Sequence, residues 1–143
     1  MRGRRGHNGK KGKGRGGGAE RGAHQGEAGF GPRGRVWVDG PEGTFLGYGR
    51  VVLMERIRQY GSITKAARSM DMSYRRAWVL IDSMNRQAPR PFVETAAGGR
   101  GGGGTRLTED GERAVQSFWR FYEEFQKFLK RQDKLIRFDR EEG

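Results

Sequence analysis

The sequence predicts a mainly α fold with a small β part: a winged helix-turn-helix with an N-terminal β-hairpin and a long C-terminal helix. Three observations predict it. Two short helical stretches, residues 63–70 and 73–87, stand on either side of a turn only a few residues long. Two β-like stretches, residues 92–95 and 105–107, flank a run with six glycines in the seven positions 98–104. A final stretch opening at Thr108 repeats apolar residues at spacings of three and four, from Val115 to Leu129.

Each element has a local cause. Val36, Trp37 and Val38 alternate as a short strand does, Asp39-Gly40-Pro41-Glu42-Gly43 is turn chemistry, and Thr44, Phe45 and Leu46 return as a second strand. From Arg50 the period becomes helical through Leu53, Ile57 and Tyr60, and Gly61 supplies the stop. Ser62 and Ser73 can cap the next two helices by accepting a backbone N–H. Pro89 and Pro91 forbid continuation past about residue 87. Thr108 caps the fourth helix, and the acids Glu109 and Asp110 complement the positive end of its dipole.

The segment from Ser62 to Arg86 carries most of the functional information. Ala66 and Ala67 are small enough for two helices to touch, Met70 and Met72 bracket Asp71 in the turn, and Ala77, Leu80, Ile81 and Met84 form an apolar inner face. Asp71 stands where a turn glycine is common, and aspartate tolerates the left-handed backbone less well than glycine does. The inner stripe leaves Arg75, Val79, Asp82 and Arg86 pointing outward, with Arg76 on the flank. Ser73, Tyr74, Arg75 and Arg76 thus occupy the first turn of the second helix, the part inserted in a major groove. Arginine there bonds guanine bidentately or clamps a phosphate. The competing reading of the segment alone is a helical hairpin with a solvated basic face.

The glycine run is not a nucleotide loop. A phosphate-binding loop of the G-x-x-x-x-G-K-[ST] type needs lysine after its last glycine, but Gly104 follows Gly103, and a strand-like Thr105-Arg106-Leu107 comes next. The run instead forms the tip of a wing, where Arg100 reaches a phosphate or the minor groove, or touches nothing.

Composition agrees with an anionic partner. Among 143 residues, 29 Lys and Arg outnumber 17 Asp and Glu, for a formal charge of +12. Residues 1–34 hold nine basic residues against two acids and have Phe30 as their one large apolar residue after Met1. They are expected to be a disordered basic Gly/Arg-rich arm, either simply solvated or making sequence-independent phosphate contacts. Residues 35–107 then form the winged domain, 108–131 the long helix and 132–143 a charged tail. There is no cysteine, and both histidines, His7 and His24, lie in the arm, so no zinc site, thiol nucleophile or other cofactor is expected. No acid pair or nucleophile–base constellation suggests an enzyme. No apolar run is long enough for a bilayer.

In the last helix Val115, Phe118, Tyr122, Phe125 and Leu129 form one stripe, widened by Ala114, Phe121 and Phe128. Either all of it packs on its own domain, or part pairs with the same helix of a second copy. Its breadth favours a homodimer.

The stretches "GSITKAARSMDMSYRRAWVLIDSMNR" and "VETAAGGRGGGGTRLTEDGERAV" closely resemble the N-terminal winged-helix domain of ModE-type molybdate-responsive transcription regulators, which is related to the LysR-type domain. The resemblance covers about residues 35–129. It implies a dimeric binder of double-stranded DNA, with the recognition helix in the major groove, a glycine-rich wing alongside and a long dimerisation helix. The expected DNA contacts are Ser62, Thr64, Ser73, Tyr74, Arg75, Arg76, Arg100, Thr105 and Arg106. Family members continue into a molybdate-binding region. With residue 143 as the last of the sequence, the expectation is a stand-alone DNA binder or one served by a separate effector-sensing protein. A sequence-specific regulator at the nucleoid, in the cytoplasm, is the leading expectation. A nucleoid-associated or RNA-binding protein of low specificity is the alternative.

Overall fold

The structure, a computed structural model, describes residues 29–96 and 104–138. In chain order the elements are strands β1 (Trp37–Gly40) and β2 (Gly43–Gly47), helices α1 (Tyr48–Tyr60), α2 (Ile63–Ser69) and α3 (Tyr74–Gln87), strands β3 (Val93–Thr95) and β4 (Thr105–Leu107), and helix α4 (Glu109–Arg131). A short 3-10 turn, Gln132–Leu135, follows. The winged helix-turn-helix expected from the sequence is the observed fold.

Serine and threonine set the helix starts. The Ser62 hydroxyl accepts from Lys65 N–H, that of Ser73 from Arg76 N–H, and that of Thr108 from Gly111 N–H. Thr108 Oγ1 also donates to Pro91 O at 2.6 Å, which ties the start of α4 to the entry of β3. Gly61 ends α1 in the left-handed region at φ 63°, and its carbonyl accepts from Thr105 N–H at 3.0 Å. The stop of α1 therefore also holds the base of the wing.

The turn between α2 and α3 is tight. Asp71 adopts φ 52°, the one positive φ outside glycine among the described residues, and Met72 N–H donates back to Ala67 O at 2.9 Å. Ala66 and Ala67 are fully buried at the helix contact. A larger side chain at either would push the two helices apart.

The hairpin differs slightly from expectation. β1 runs from Trp37 to Gly40 rather than over 36–38, because Gly40 pairs with Gly43 and only Pro41 and Glu42 lie between. The register passes from Val38↔Leu46 to Asp39↔Thr44, leaving Phe45 as a bulged residue. Phe45 turns inward and meets Phe92, ring centroids 5.4 Å apart. Gln87 fixes the hairpin to the end of α3: its Oε1 accepts from Glu42 N–H and its Nε2 donates to Thr44 O.

One core joins all the helices. Val51, Leu53, Met54 and Ile57 of α1 and Met84 of α3 are fully buried, and Val115 and Phe118 of α4 are 2 % exposed. At Gly111 the first turn of α4 passes so close to the backbone of Phe92 that a Cβ there would collide with its carbonyl oxygen. Glycine is needed at that point to seat α4 against the wing. Among the described residues no helix is long and apolar enough to cross a membrane.

Candidate nucleic-acid interface

Helix α3 divides into four surfaces. Ala77, Leu80, Ile81 and Met84 are buried, as their spacing requires. Opposite them lie Arg75, Val79, Asp82 and Arg86. Tyr74, Trp78 and Asn85 follow the flank toward the wing, where the Asn85 side chain bonds the backbone of Phe92 and Val93. Arg76, Ser83 and Gln87 follow the other flank, toward the hairpin and the start of α1.

The outward face is graded in charge. Near the C-terminal end Arg86 pairs with Asp82 one turn back and with Glu42 at 3.4 Å, so its charge is neutralised within the domain. Near the N-terminal end Arg75 and Arg76 are exposed and form no ion pair among the described residues. Ser73 and Tyr74 are exposed beside them. The cationic, unneutralised part of α3 is its first turn, the end an anion favours.

A residue that sequence reasoning missed adds to it. Arg50, in the first turn of α1, donates from Nη1 to Ser83 Oγ at 3.0 Å and is half-buried. Burial, and then the nearby Arg76 guanidinium, hold Arg50 below the ordinary arginine value. Two like charges held side by side on one flank of α3 are relieved by an anion between them, such as a phosphate. No sequence signal marks Arg50, since 33 positions separate it from Ser83.

The other expected contacts scatter more. Ser62 is a half-buried cap, and Thr64 is exposed on α2. In β4 the alternation buries Thr105, 9 % exposed, and turns Arg106 out. Thr105 is thus withdrawn from the surface and leaves the set of candidate contacts. Arg106 is exposed, and its Nη2 lies 3.4 Å from Glu94 Oε2 on the paired strand. Arg100 lies outside the described residues.

The apolar stripe of α4 divides in two. Val115 and Phe118 belong to the domain's own core and so leave the candidate dimer seam, because α1 offers the nearer apolar surface. Tyr122 is half-buried between Tyr48 and Trp119, with ring centroids 5.7 and 5.5 Å away. Further along, the chain's own segment before β1 covers part of the stripe. A Cβ on Gly34 would stand 2.8 Å from Phe125 Cζ and 3.9 Å from Leu129 Cδ1, and Phe30 meets Phe138 at 5.5 Å. Phe121 and Phe128 remain 44 % and 48 % exposed.

The comparisons with known proteins bear on this arrangement. No family model matches the chain. It is 44% identical over 97 residues to the molybdenum transport protein ModE of Azotobacter vinelandii, covering 68% of this chain and 36% of that protein. This chain is a relative of the ModE-type regulators. It is likewise 43% identical over 74 residues to the transcriptional regulator ModE of Haemophilus influenzae, covering 52% of this chain and 29% of that protein. With the DNA-binding transcriptional dual regulator ModE of Escherichia coli it shares 41% identity over 69 residues, 48% of this chain and 26% of that protein. The chain thus spans about a third of the length of the ModE relatives it matches.

Proposed function

We propose that the chain is a transcription regulator that binds double-stranded DNA as a homodimer, with α3 in the major groove. The observation that carries the reading is the unneutralised first turn of α3: Arg75 and Arg76 are exposed while Arg86, on the same helix, is paired within the domain. Arg75 lies opposite the buried stripe and reaches a base edge. Arg76 and Arg50 lie on one flank and hold the phosphates of one strand. The wing follows the backbone beside the groove. Exposed Phe121 and Phe128 on α4 supply the apolar surface for a second copy, and two-fold symmetry doubles the site read. The name of one relative, a molybdenum transport protein, points the regulation toward molybdenum supply.

The test is selection of bound duplexes from a random-sequence library, followed by titration of the selected and bulk sequences. The expected result is a pseudo-palindromic sequence preferred over bulk DNA on the order of 10³-fold. Equal affinity for every duplex would overturn sequence-specific regulation. Repeating the titration with molybdate tests whether this chain itself senses the oxyanion; an unchanged affinity would leave any sensing to a separate protein.

A further inference from the structure

The outward face of α3 holds an apolar residue among its polar ones. Val79 lies one turn beyond Arg75 and is 48 % exposed, with Asp82 and Arg86 closing the face beyond it as an ion pair. The part of this face left unpaired within the domain is therefore Arg75 and Val79. A β-branched residue has a lower helix propensity than alanine, and Val79, with about half its surface exposed, gains only part of what burial could give it. The N-terminal half of α3 also carries exposed Tyr74 and Trp78 on the adjoining flank, so Val79 is not the one apolar side chain exposed at this end. Major grooves present one apolar group to a protein, the C5-methyl of thymine.

We propose that Val79 reads a thymine methyl in the major groove, close to the base contacted by Arg75. This rests on the DNA-binding reading above and assigns it a second chemical element. Residues four apart on a helix are separated by about 6 Å along its axis. Base pairs rise about 3.4 Å per step, so the thymine lies about one to two base pairs from the Arg75 contact. Arginine and valine then read two neighbouring positions by different chemistry, one by hydrogen bonds and one by contact with a methyl.

The test uses the duplex obtained by selection, with deoxyuridine replacing each thymine in turn, which deletes the methyl and keeps the base pairing. The expected result is that one replacement per half-site weakens wild-type binding about fourfold, the factor for burial of one methyl. Val79→Ala is expected to bind the unmodified duplex more weakly and to lose nothing further at that replacement. Val79 is exposed and alanine favours the helix, so the variant should keep its fold, which circular dichroism checks. Wild-type binding that ignores every deoxyuridine would overturn the proposal while leaving the DNA-binding reading intact. So would an equal uridine effect in the variant, since the effect would then belong to the DNA. Failure to select any duplex would overturn both.

Discussion

Helices α3 and α4 are both amphipathic, but they use their apolar faces differently. The inner stripe of α3 is consumed entirely by the domain, which leaves an outward surface with Arg75 and Val79 toward one end and the Asp82–Arg86 ion pair toward the other. The stripe of α4 is consumed only at its start: Val115 and Phe118 are core, Phe125 and Leu129 lie under the chain's own 30–34 segment, and Phe121 and Phe128 stay exposed. An apolar period shows that a face will be covered, not by what. On α3 one layer of neighbours is enough, while on α4 the core covers the start of the stripe and a different segment covers part of the rest.

The sharpest way to break this contrast is to remove one aromatic ring from each part of α4. Phe118→Ala is expected to cost about 3–5 kcal/mol in chemical denaturation, because it opens a cavity in the core. Phe128→Ala, at concentrations where the chain is monomeric, should stay within about 0.5 kcal/mol. Similar costs would mean that the stripe is not divided.

Placing a charge at the exposed part comes next. Phe128→Glu leaves the single chain folded but buries a carboxylate in any apolar seam between copies, which costs several kcal/mol unless the seam opens. Sedimentation should then show a monomer, with an undisturbed unfolding transition. An unchanged dimer would move the contact between copies off this face.

A smaller effect is expected on the flank of α3. Arg50→Ala and Arg76→Ala should each weaken binding to all duplexes and reduce the log–log salt slope by about 0.9. An effect confined to one base-pair position would reassign that arginine to base reading.

The smallest effect is electrostatic and lies in the first turn of α4. Arg90 and then Arg113 hold the Asp110 carboxyl below its ordinary 3.8, at about 2. Because the folded value is depressed, this stabilisation is complete above about pH 4 and is lost as pH falls toward about 2. Asp110→Asn should be less stable near neutrality, with wild type and variant converging across that window. Parallel curves would mean the carboxylate is not held by its arginines.

What the sequence made legible was mostly local. The caps at Ser62, Ser73 and Thr108 lie within three residues of the N–H groups they satisfy, so chemistry at short range was enough. The left-handed Asp71 was legible for the same reason, since a turn this short needs such a residue. Alternation in β4 would have placed Thr105 inside had the wing's inner face been known, but a three-residue strand does not fix its own phase. Arg50 was hidden because its position depends on how α1 crosses α3. The strap over Phe125 and Leu129 was hidden too, because residues 30–34 carry two glycines and one proline and offer no period to read.

DNA reading by α3 rests most directly on Arg75. Its decisive measurement is a fluorescence-anisotropy titration of Arg75→Ala against the duplex selected by the wild-type chain, with selection repeated on the variant. The expected result is a loss of about 1–3 kcal/mol on that duplex and a relaxed preference at one base-pair position in each half-site. Undiminished affinity with an unchanged selected sequence would contradict it, and α3 would then not be the element that reads DNA.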